Sequence, residues 1–180
     1  MFAICVYAGS MARLSAQTKA ANNKPWQELI STEGRFRVLL PDTPDERFIP
    51  VTGQILTSDV RVFVVKSDVA IYAVIFGELT DEGSDREVQK AILDNGRDHA
   101  LAEGKLRLVS EKDLSSAGTL GRQYIMEDSA FVIRNRVYFN KNRVYETIFV
   151  SPGLNAMPPA LVQYYDGLAS KFFNSFKIGI

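Results

Sequence analysis

Apolar and polar residues alternate along several stretches of this chain, which is the pattern of a β-strand with one buried face. In residues 35–40, Phe36, Val38 and Leu40 take every second position, and Pro41 follows directly. Proline donates no backbone N–H and is tolerated mainly at the margin of a sheet. This stretch is therefore predicted to be an edge strand.

Further strand-like stretches follow, separated by short polar breaks that suit antiparallel hairpins. The first three predict a meander of strands at Val51–Thr57, Val60–Lys66 and Ile71–Gly77. A second group predicts strands at Lys105–Glu111, Thr119–Glu127, Ala130–Phe139 and Arg143–Val150. The stretch 71–76 is apolar at every position, and a strand tolerates this only when both faces of its sheet are covered. Helices are therefore expected on both faces.

Two segments have the spacing of such helices. Ser84 to Glu87 match a capping box, and Gly104 is placed to end the helix that begins there. Its predicted buried stripe consists of Val88, Ala91, Ile92, Asn95, His99 and Ala102. A second helix, starting near Pro158, has large apolar residues at helical spacing: Leu161, Tyr165, Leu168, Phe172 and Phe176.

These elements predict an α+β fold in which an antiparallel sheet of about seven strands is sandwiched between helices. The chain has 180 residues, of which 46% are hydrophobic and 11% aromatic, enough for one core. Residues 26–180 are accordingly predicted to form a single α/β/α sandwich domain.

The N-terminus carries a short apolar run, residues 2–8, followed by small residues typical of a secretory cleavage region. Residues 1–16 are interpreted as a signal peptide and residues 17–25 as a polar linker, which predicts export to the periplasm or the extracellular space. An ordinary amphipathic or disordered arm is the alternative. Cys5 is the single cysteine, so removal of the leader leaves no thiol for catalysis, disulfides or metal binding.

Net charge and hydropathy limit the classes of partner that this protein is expected to bind. The 21 basic and 21 acidic residues cancel, so no overall field attracts nucleic acid or anionic lipid. Beyond the leader, no segment approaches the ~20 apolar residues of a membrane span. A protein or a small molecule of unknown identity is the expected partner.

Several short motifs resemble a pattern found in exported bacterial proteins of the PsbP-like fold. They are Trp26 with the segment 33–41, then Gly121–Tyr124, Arg136–Tyr138, Arg143–Tyr145 and Phe173–Phe176. The resemblance covers residues 26–178. It implies an antiparallel sheet between helices and a binding or stabilising role, and it implies no catalytic or ligand-binding residue.

The sequence contains no standard nucleophile, phosphate-binding or zinc signature. His99 is the only histidine and has no second imidazole to share a metal, so it is interpreted as a packing residue. Acidic groups near Asp42 and Asp81 lack EF-hand spacing and are interpreted as a loop and a helix N-terminus. We expect no metal site and no cofactor.

The most suggestive set of side chains is cationic and aromatic and lies on the last three predicted strands. Arginine and tyrosine combine apolar area with hydrogen bonding and suit a carboxylate, a glycan or a protein hot spot. Ordinary cross-strand pairing on a solvated face is the alternative. The candidate ligand-binding residues are Arg122, Tyr124, Arg134, Tyr138, Arg143 and Tyr145.

Three functions remain open from the sequence. The first is an exported, non-catalytic binding or accessory domain of the bacterial cell envelope. The second is a small hydrolase or isomerase that uses scattered carboxylates with a tyrosine or His99. The third is a structural subunit of an envelope complex, which predicts a contiguous exposed apolar patch.

Overall fold

The computed structural model describes residues 25–50, 55–57, 59–116, 118–153 and 157–179. The predicted leader, residues 1–16, lies outside this part of the chain, as does all of the predicted linker except Pro25. Within it are ten strands and two helices. In chain order they are β1 (Gln27–Ser31), β2 (Phe36–Leu40), β3 (Asp45–Ile49), β4 (Val60–Lys66), β5 (Ile71–Glu78), α1 (Arg86–Gly104), β6 (Arg107–Asp113), β7 (Thr119–Glu127), β8 (Phe131–Asn140), β9 (Arg143–Pro152), α2 (Pro159–Ser175) and β10 (Lys177–Ile178).

The larger sheet has seven strands in the order β3-β4-β5-β9-β8-β7-β6, and each neighbouring pair is antiparallel. The predicted α+β sandwich is therefore confirmed. Its central strand pair, β5 and β9, is buried on both sides, as the apolar stretch 71–76 required. Helix α1 covers one face, and α2 covers the other together with the smaller sheet.

The smaller sheet corrects the prediction for the first strand. Its order is β1-β2-β10, so β2 is the central strand and not an edge strand. Phe36, Val38 and Leu40 do form the buried face, at 0%, 0% and 1% exposure. The error arises because β10 comes from the far end of the chain, where Lys177 pairs with Arg37.

The first strand of the predicted meander is also misplaced. The strand that pairs with β4 is Asp45–Ile49, directly after the prolines. Of the predicted strand 51–57, residues 51–54 lie outside the described part, and Leu56 forms an isolated bridge with Leu79. The sequence pattern did not predict this strand, because Asp45 and Glu46 are charged and an exposed edge strand shows no apolar alternation.

The start and end of α1 differ from the prediction by one residue. Asp85, and not Ser84, caps the helix, because its carboxylate accepts the backbone N–H groups of Glu87 and Val88 at 2.9 and 3.0 Å. At the other end Gly104 is still helical, and Lys105 takes the left-handed conformation. The helix therefore begins with an Asp cap rather than the predicted box.

The buried stripe of α1 differs as well. It is formed by Gln89, Leu93 and Ala100, whereas the predicted Ala91, Asn95 and Ala102 are exposed and Val88, Ile92 and His99 are half-buried. Only one large apolar side chain of this helix is fully buried. Helix α2 begins as predicted, with Pro159 in its first turn, and buries Tyr165, Ala169, Phe172 and Phe173, but the predicted Leu161 is exposed and Phe176 lies just after its last residue.

A pocket under the first helix

A pocket lies between α1 and the larger sheet, and we call it the α1 pocket. Its cavity volume is about 20 Å³, room for roughly one or two water molecules, and it is partly open to solvent. Helix α1 contributes two aliphatic side chains and a glycine, and strands β7, β8 and β9 contribute the floor. The lining residues are Ile92, Leu93, Gly96, Tyr124, Val137, Val144 and Glu146.

Glu146 is the only carboxyl group in this apolar lining. It lies in the central strand β9, opposite Val137 and Ile75, and is only 4% exposed. Burial raises the pKa of this carboxyl to about 7, and a hydrogen bond from Asn135 offsets part of that effect. The carboxyl group therefore changes its protonation state near neutral pH.

Asn135 provides the hydrogen bond that Glu146 receives within the described residues. Its Nδ2 donates to Glu146 Oε1 at 2.6 Å. Asn135 is itself 1% exposed, and its Oδ1 is buried with no hydrogen-bond partner. A buried acceptor without a partner among the described residues costs stability, and Asn135 itself does not line the pocket.

Tyr124 connects the sheet to the helix at this pocket. Its hydroxyl donates to the backbone carbonyl of Leu93 at 3.0 Å. Burial raises the pKa of Tyr124 to about 12, so the phenol stays neutral at physiological pH. Its oxygen holds α1 in place and is not a base.

Charged side chains surround the outer side of the pocket and form what we call the rim network. Arg122 binds Asp94 and lies 3.0 Å from Glu111. Arg97 contacts Asp98 at 2.8 Å, Glu111 at 2.9 Å and Asp94 at 3.6 Å. Three carboxylates thus face two guanidinium groups, which leaves one excess negative charge at the rim.

The sheet divides the six predicted ligand-binding residues between its two faces. Arg122 and Tyr124 lie on the α1 face. Arg134, Tyr138, Arg143 and Tyr145 lie on the opposite face, because Tyr138 pairs with Gly121 on one side and with Tyr145 on the other. The structure therefore brings together one pair and one group of four, and no single groove contains all six.

The group of four is engaged with its own domain. Arg134 is 9% exposed and its Nη2 donates to Asp166 at 2.5 Å, while burial lowers the pKa of Arg134. Arg143 donates to Glu78 at 2.6 Å and to the backbone carbonyl of Glu33. Tyr138 and Tyr145 pack against Phe176, with ring centroids 6.0 Å away in each case. These contacts connect the larger sheet to α2 and to the β1–β2 turn.

The other candidate residues either have interaction partners within the domain or lie outside the α1 pocket. His99 is half-buried on α1 and does not line the pocket. In the predicted acidic regions, Glu46 pairs with Arg61 at 3.0 Å, and Asp85 is the helix cap. Within the described ranges, no group of three or more His, Cys, Asp or Glu side chains has the arrangement of a metal site.

Comparison with solved structures identifies the architecture. Cyanobacterial PsbP (CyanoP) from Synechocystis covers 90% of this chain and 97% of its own, at a TM-score of 0.54 and 14% identity. The fold of this chain is PsbP-like. A protein of unknown function from Pseudomonas aeruginosa covers 81% of the chain and 91% of its own, with a TM-score of 0.38 and 11% identity.

No family model matches the sequence. No curated protein matches it either. The PsbP-like likeness therefore rests on the path of the backbone. In the described part of this PsbP-like domain, neither helix has the length and apolar character needed to cross a bilayer.

Sequence reasoning missed Glu146 and Asn135. Both lie on predicted strands, and the alternation Val144–Glu146–Ile148 places a carboxyl group among aliphatic residues on one face. A charged residue on the apolar face of a central strand was the available signal, since such groups are rarely buried without a partner. The prediction selected the arginines and tyrosines of the same strands instead.

Proposed function

We propose that this protein is an exported, non-catalytic binding or accessory domain of the bacterial cell envelope, with a ligand still to be identified. The observation that carries the proposal is the composition of the α1 pocket. It offers apolar surface with one carboxyl group, and the neighbouring phenol is tied to Leu93. This is the arrangement of a site that holds a molecule by shape and one polar contact.

The fold supports the same reading by analogy. The chain shares its architecture with cyanobacterial PsbP, and fold likeness alone does not define an activity. Export is supported by the leader-like residues 1–16 and is part of the proposal.

Of the predicted ligand-binding residues, Arg122 and Tyr124 are the pair we favour for contact with the ligand. Tyr124 lines the pocket, and Arg122 belongs to the rim network. Arg134, Tyr138, Arg143 and Tyr145 would require the partner to displace existing contacts with α2 or the β1–β2 turn. We retain them as a second surface within the proposal.

One observation favours the enzymatic alternative. A carboxyl group with a pKa near 7 in an apolar pocket is also the property of a general acid or base. A hydrolase or isomerase would use Glu146 with Tyr124. Turnover of a small substrate that is abolished by Glu146→Gln would replace the binding proposal with this one.

The structural-subunit alternative predicts one exposed apolar patch, and the exposed large apolar residues are instead spread out. Phe48 and Val109, 57% and 45% exposed, lie on β3 and β6 at opposite edges of the larger sheet. Ile30, 57% exposed, lies on β1 of the smaller sheet. Only Leu161 and Tyr164, 36% and 37% exposed, lie one turn apart, on α2, so the described residues do not favour a single large hydrophobic interface.

Native mass spectrometry of the protein isolated from its own envelope fraction tests the proposal. We expect a retained small molecule or protein partner, and we expect Gly96→Leu, which places a side chain at the α1 pocket, to lose part of it. Gly167→Leu is the matched control, because Gly167 is exposed on α2 and an added side chain there meets open space. Recovery of the protein outside the envelope, or equal retention in both variants, would count against the proposed role of this surface.

A further inference from the structure

Resting on the proposed binding function, we infer that the α1 pocket takes a small amine, with the ammonium group at Glu146 and an apolar body against the aliphatic lining. The inference names the chemical class of ligand for this site. It follows from three features of the pocket: an acid without a cation, an acceptor without a donor, and an excess of negative charge at the rim.

The first feature is the isolation of Glu146 from positive charge. Its hydrogen bond within the described residues comes from the neutral amide of Asn135. The nearby guanidinium groups of Arg97 and Arg122 are already paired with Asp94 and Glu111. A buried carboxyl group without a counter-charge keeps its proton to higher pH, and a bound ammonium ion stabilises its charged form.

The second feature is the supply of acceptors. An ammonium group has three N–H donors and no acceptor. Glu146 offers a carboxylate at the pocket. The buried Oδ1 of Asn135 lacks a partner among the described residues, but Asn135 does not line the pocket, so a ligand reaches that oxygen only when the Asn135 side chain rotates. Hydrogen bonds to ionised groups are roughly twice as strong as those between neutral groups. A neutral alcohol has a single donor and satisfies fewer of these acceptors.

The third feature is the charge of the surroundings on every element that packs at the pocket. Helix α1 presents Asp94 and Arg97, β7 presents Arg122 and the neutral Tyr124, and β6 presents Glu111. Strand β8 presents the neutral Asn135 and β5 presents Ile75 opposite Glu146. The rim keeps its one excess negative charge, which attracts cations and disfavours carboxylate ligands.

The sign of the pH dependence follows. An alkylammonium group, with a pKa of about 10, stays charged on both sides of neutrality. Glu146 gains its charge as the pH rises through about 7. The affinity for an amine should therefore rise between about pH 6 and about pH 8, whereas the affinity for an alcohol of equal length should not.

Three probes that differ only in the head group, and are small enough for this pocket, test the inference: methylamine, methanol and formate. Each is titrated into the full chain at about pH 6 and about pH 8, and binding is followed by backbone amide shifts of Gly96, Tyr124 and Glu146. At the higher pH we expect the amine to bind at least ~10-fold more tightly than the alcohol, or ~1.4 kcal/mol. Formate should leave these shifts unchanged.

Two variants separate the pocket from the fold. Glu146→Gln keeps the shape of the side chain and should reduce amine affinity to that of the alcohol, whereas the exposed Glu103→Gln should change nothing. Gly96→Leu places a side chain at the pocket lining and should exclude both probes. If Glu146→Gln does not fold, probe binding to Gly96→Leu and the pH dependence of amine affinity still test the inference.

Equal affinities for amine and alcohol, or unchanged amine binding in Glu146→Gln, would overturn the inference. So would the absence of shifts with any probe. None of these results would remove a partner retained in the native mass spectrum, so failure of the amine site and failure of the proposed binding function are distinguishable.

Discussion

The two faces of the larger sheet are packed in different ways. The face under α2 is aromatic: Phe36 makes edge contacts with Phe63, Phe76 and Tyr145 at centroid distances of 6.0, 5.7 and 6.3 Å. Tyr72 similarly contacts Phe149 and Phe172. Such pairs add stability beyond the area they bury.

The face under α1 is mainly aliphatic, with Tyr124 and Phe139 as aromatic residues of its core, and it contains polar groups. Helix α1 fully buries only Leu93 among its large apolar side chains, and beneath it lie the pocket, Glu146 and Asn135. The contrast teaches that one face concentrates the aromatic contacts, whereas the other keeps space and a titratable group. A domain can tolerate an imperfect face when its second core is dense.

The largest expected effect comes from removing a ring in the α2 face. Phe36→Ala deletes a side chain that is 0% exposed and should lower the free energy of unfolding by about 3–5 kcal/mol. Leu93→Ala, beside the pocket, should cost only about 2 kcal/mol because its surroundings are less complete. Urea denaturation of both variants measures the difference, and a larger loss for Leu93 would reverse the comparison.

The next largest expected effect is a pH dependence of the folding stability, which arises from Glu146 on the α1 face. Glu146 binds its proton more tightly when folded, because its pKa is raised from 4.5 to about 7. Its contribution is therefore complete below about pH 4.5 and is lost as the pH rises through about 7, by on the order of 3 kcal/mol.

Glu146→Gln removes this titration. The variant should gain stability relative to the natural chain at about pH 8 and show little change at about pH 5. Urea denaturation at the two pH values makes the measurement. The same stability difference at both values would show that Glu146 does not titrate in this range.

The smallest effect concerns how α1 begins. Asp85→Ala removes the acceptor for the N–H groups of Glu87 and Val88 and should cost about 1 kcal/mol. Asp85→Asn keeps an acceptor and should cost less than half as much. Thermal denaturation followed by circular dichroism compares them. If Ser84→Ala were the more damaging change, the predicted box and not the observed cap would describe this helix.

The strands of the second half of the chain could be read from local pattern. Thr119–Glu127 was predicted with its observed bounds, and Arg143–Val150 falls short of the observed strand only by Ser151 and Pro152. Their turns are short and polar, and Lys141 takes a positive φ of 54° in the tight connection between β8 and β9. Period-two alternation and turn chemistry are local properties, so sequence alone contains them.

The register of α1 could not be read in the same way. Its buried positions are Gln89, Leu93 and Ala100, with Gly96 at the pocket, and only Leu93 is a large apolar residue. A helix that packs over a pocket need not have a hydrophobic stripe. Apolar periodicity therefore selected neighbouring positions instead.

The candidate site was beyond sequence reasoning for a related reason. Alternation shows which residues of one strand share a face. It does not show which of the two faces lies under α1, so it could not show that Arg122 and Arg134 lie on opposite faces. Their separation depends on the pairing of Gly121 with Tyr138. The short contact of Asn135 with Glu146 likewise depends on the register between β8 and β9.

The strand β10 has a consequence for how the molecule forms. Lys177 and Ile178 complete the smaller sheet beside Arg37 and Phe36, so partners some 140 residues apart along the chain meet there. Contacts of such long separation close late and slow the acquisition of native structure. A polypeptide that is still being synthesised can form the hairpins between Thr119 and Pro152 as they emerge. It cannot complete the smaller sheet around Phe36 until Ile178 has been added.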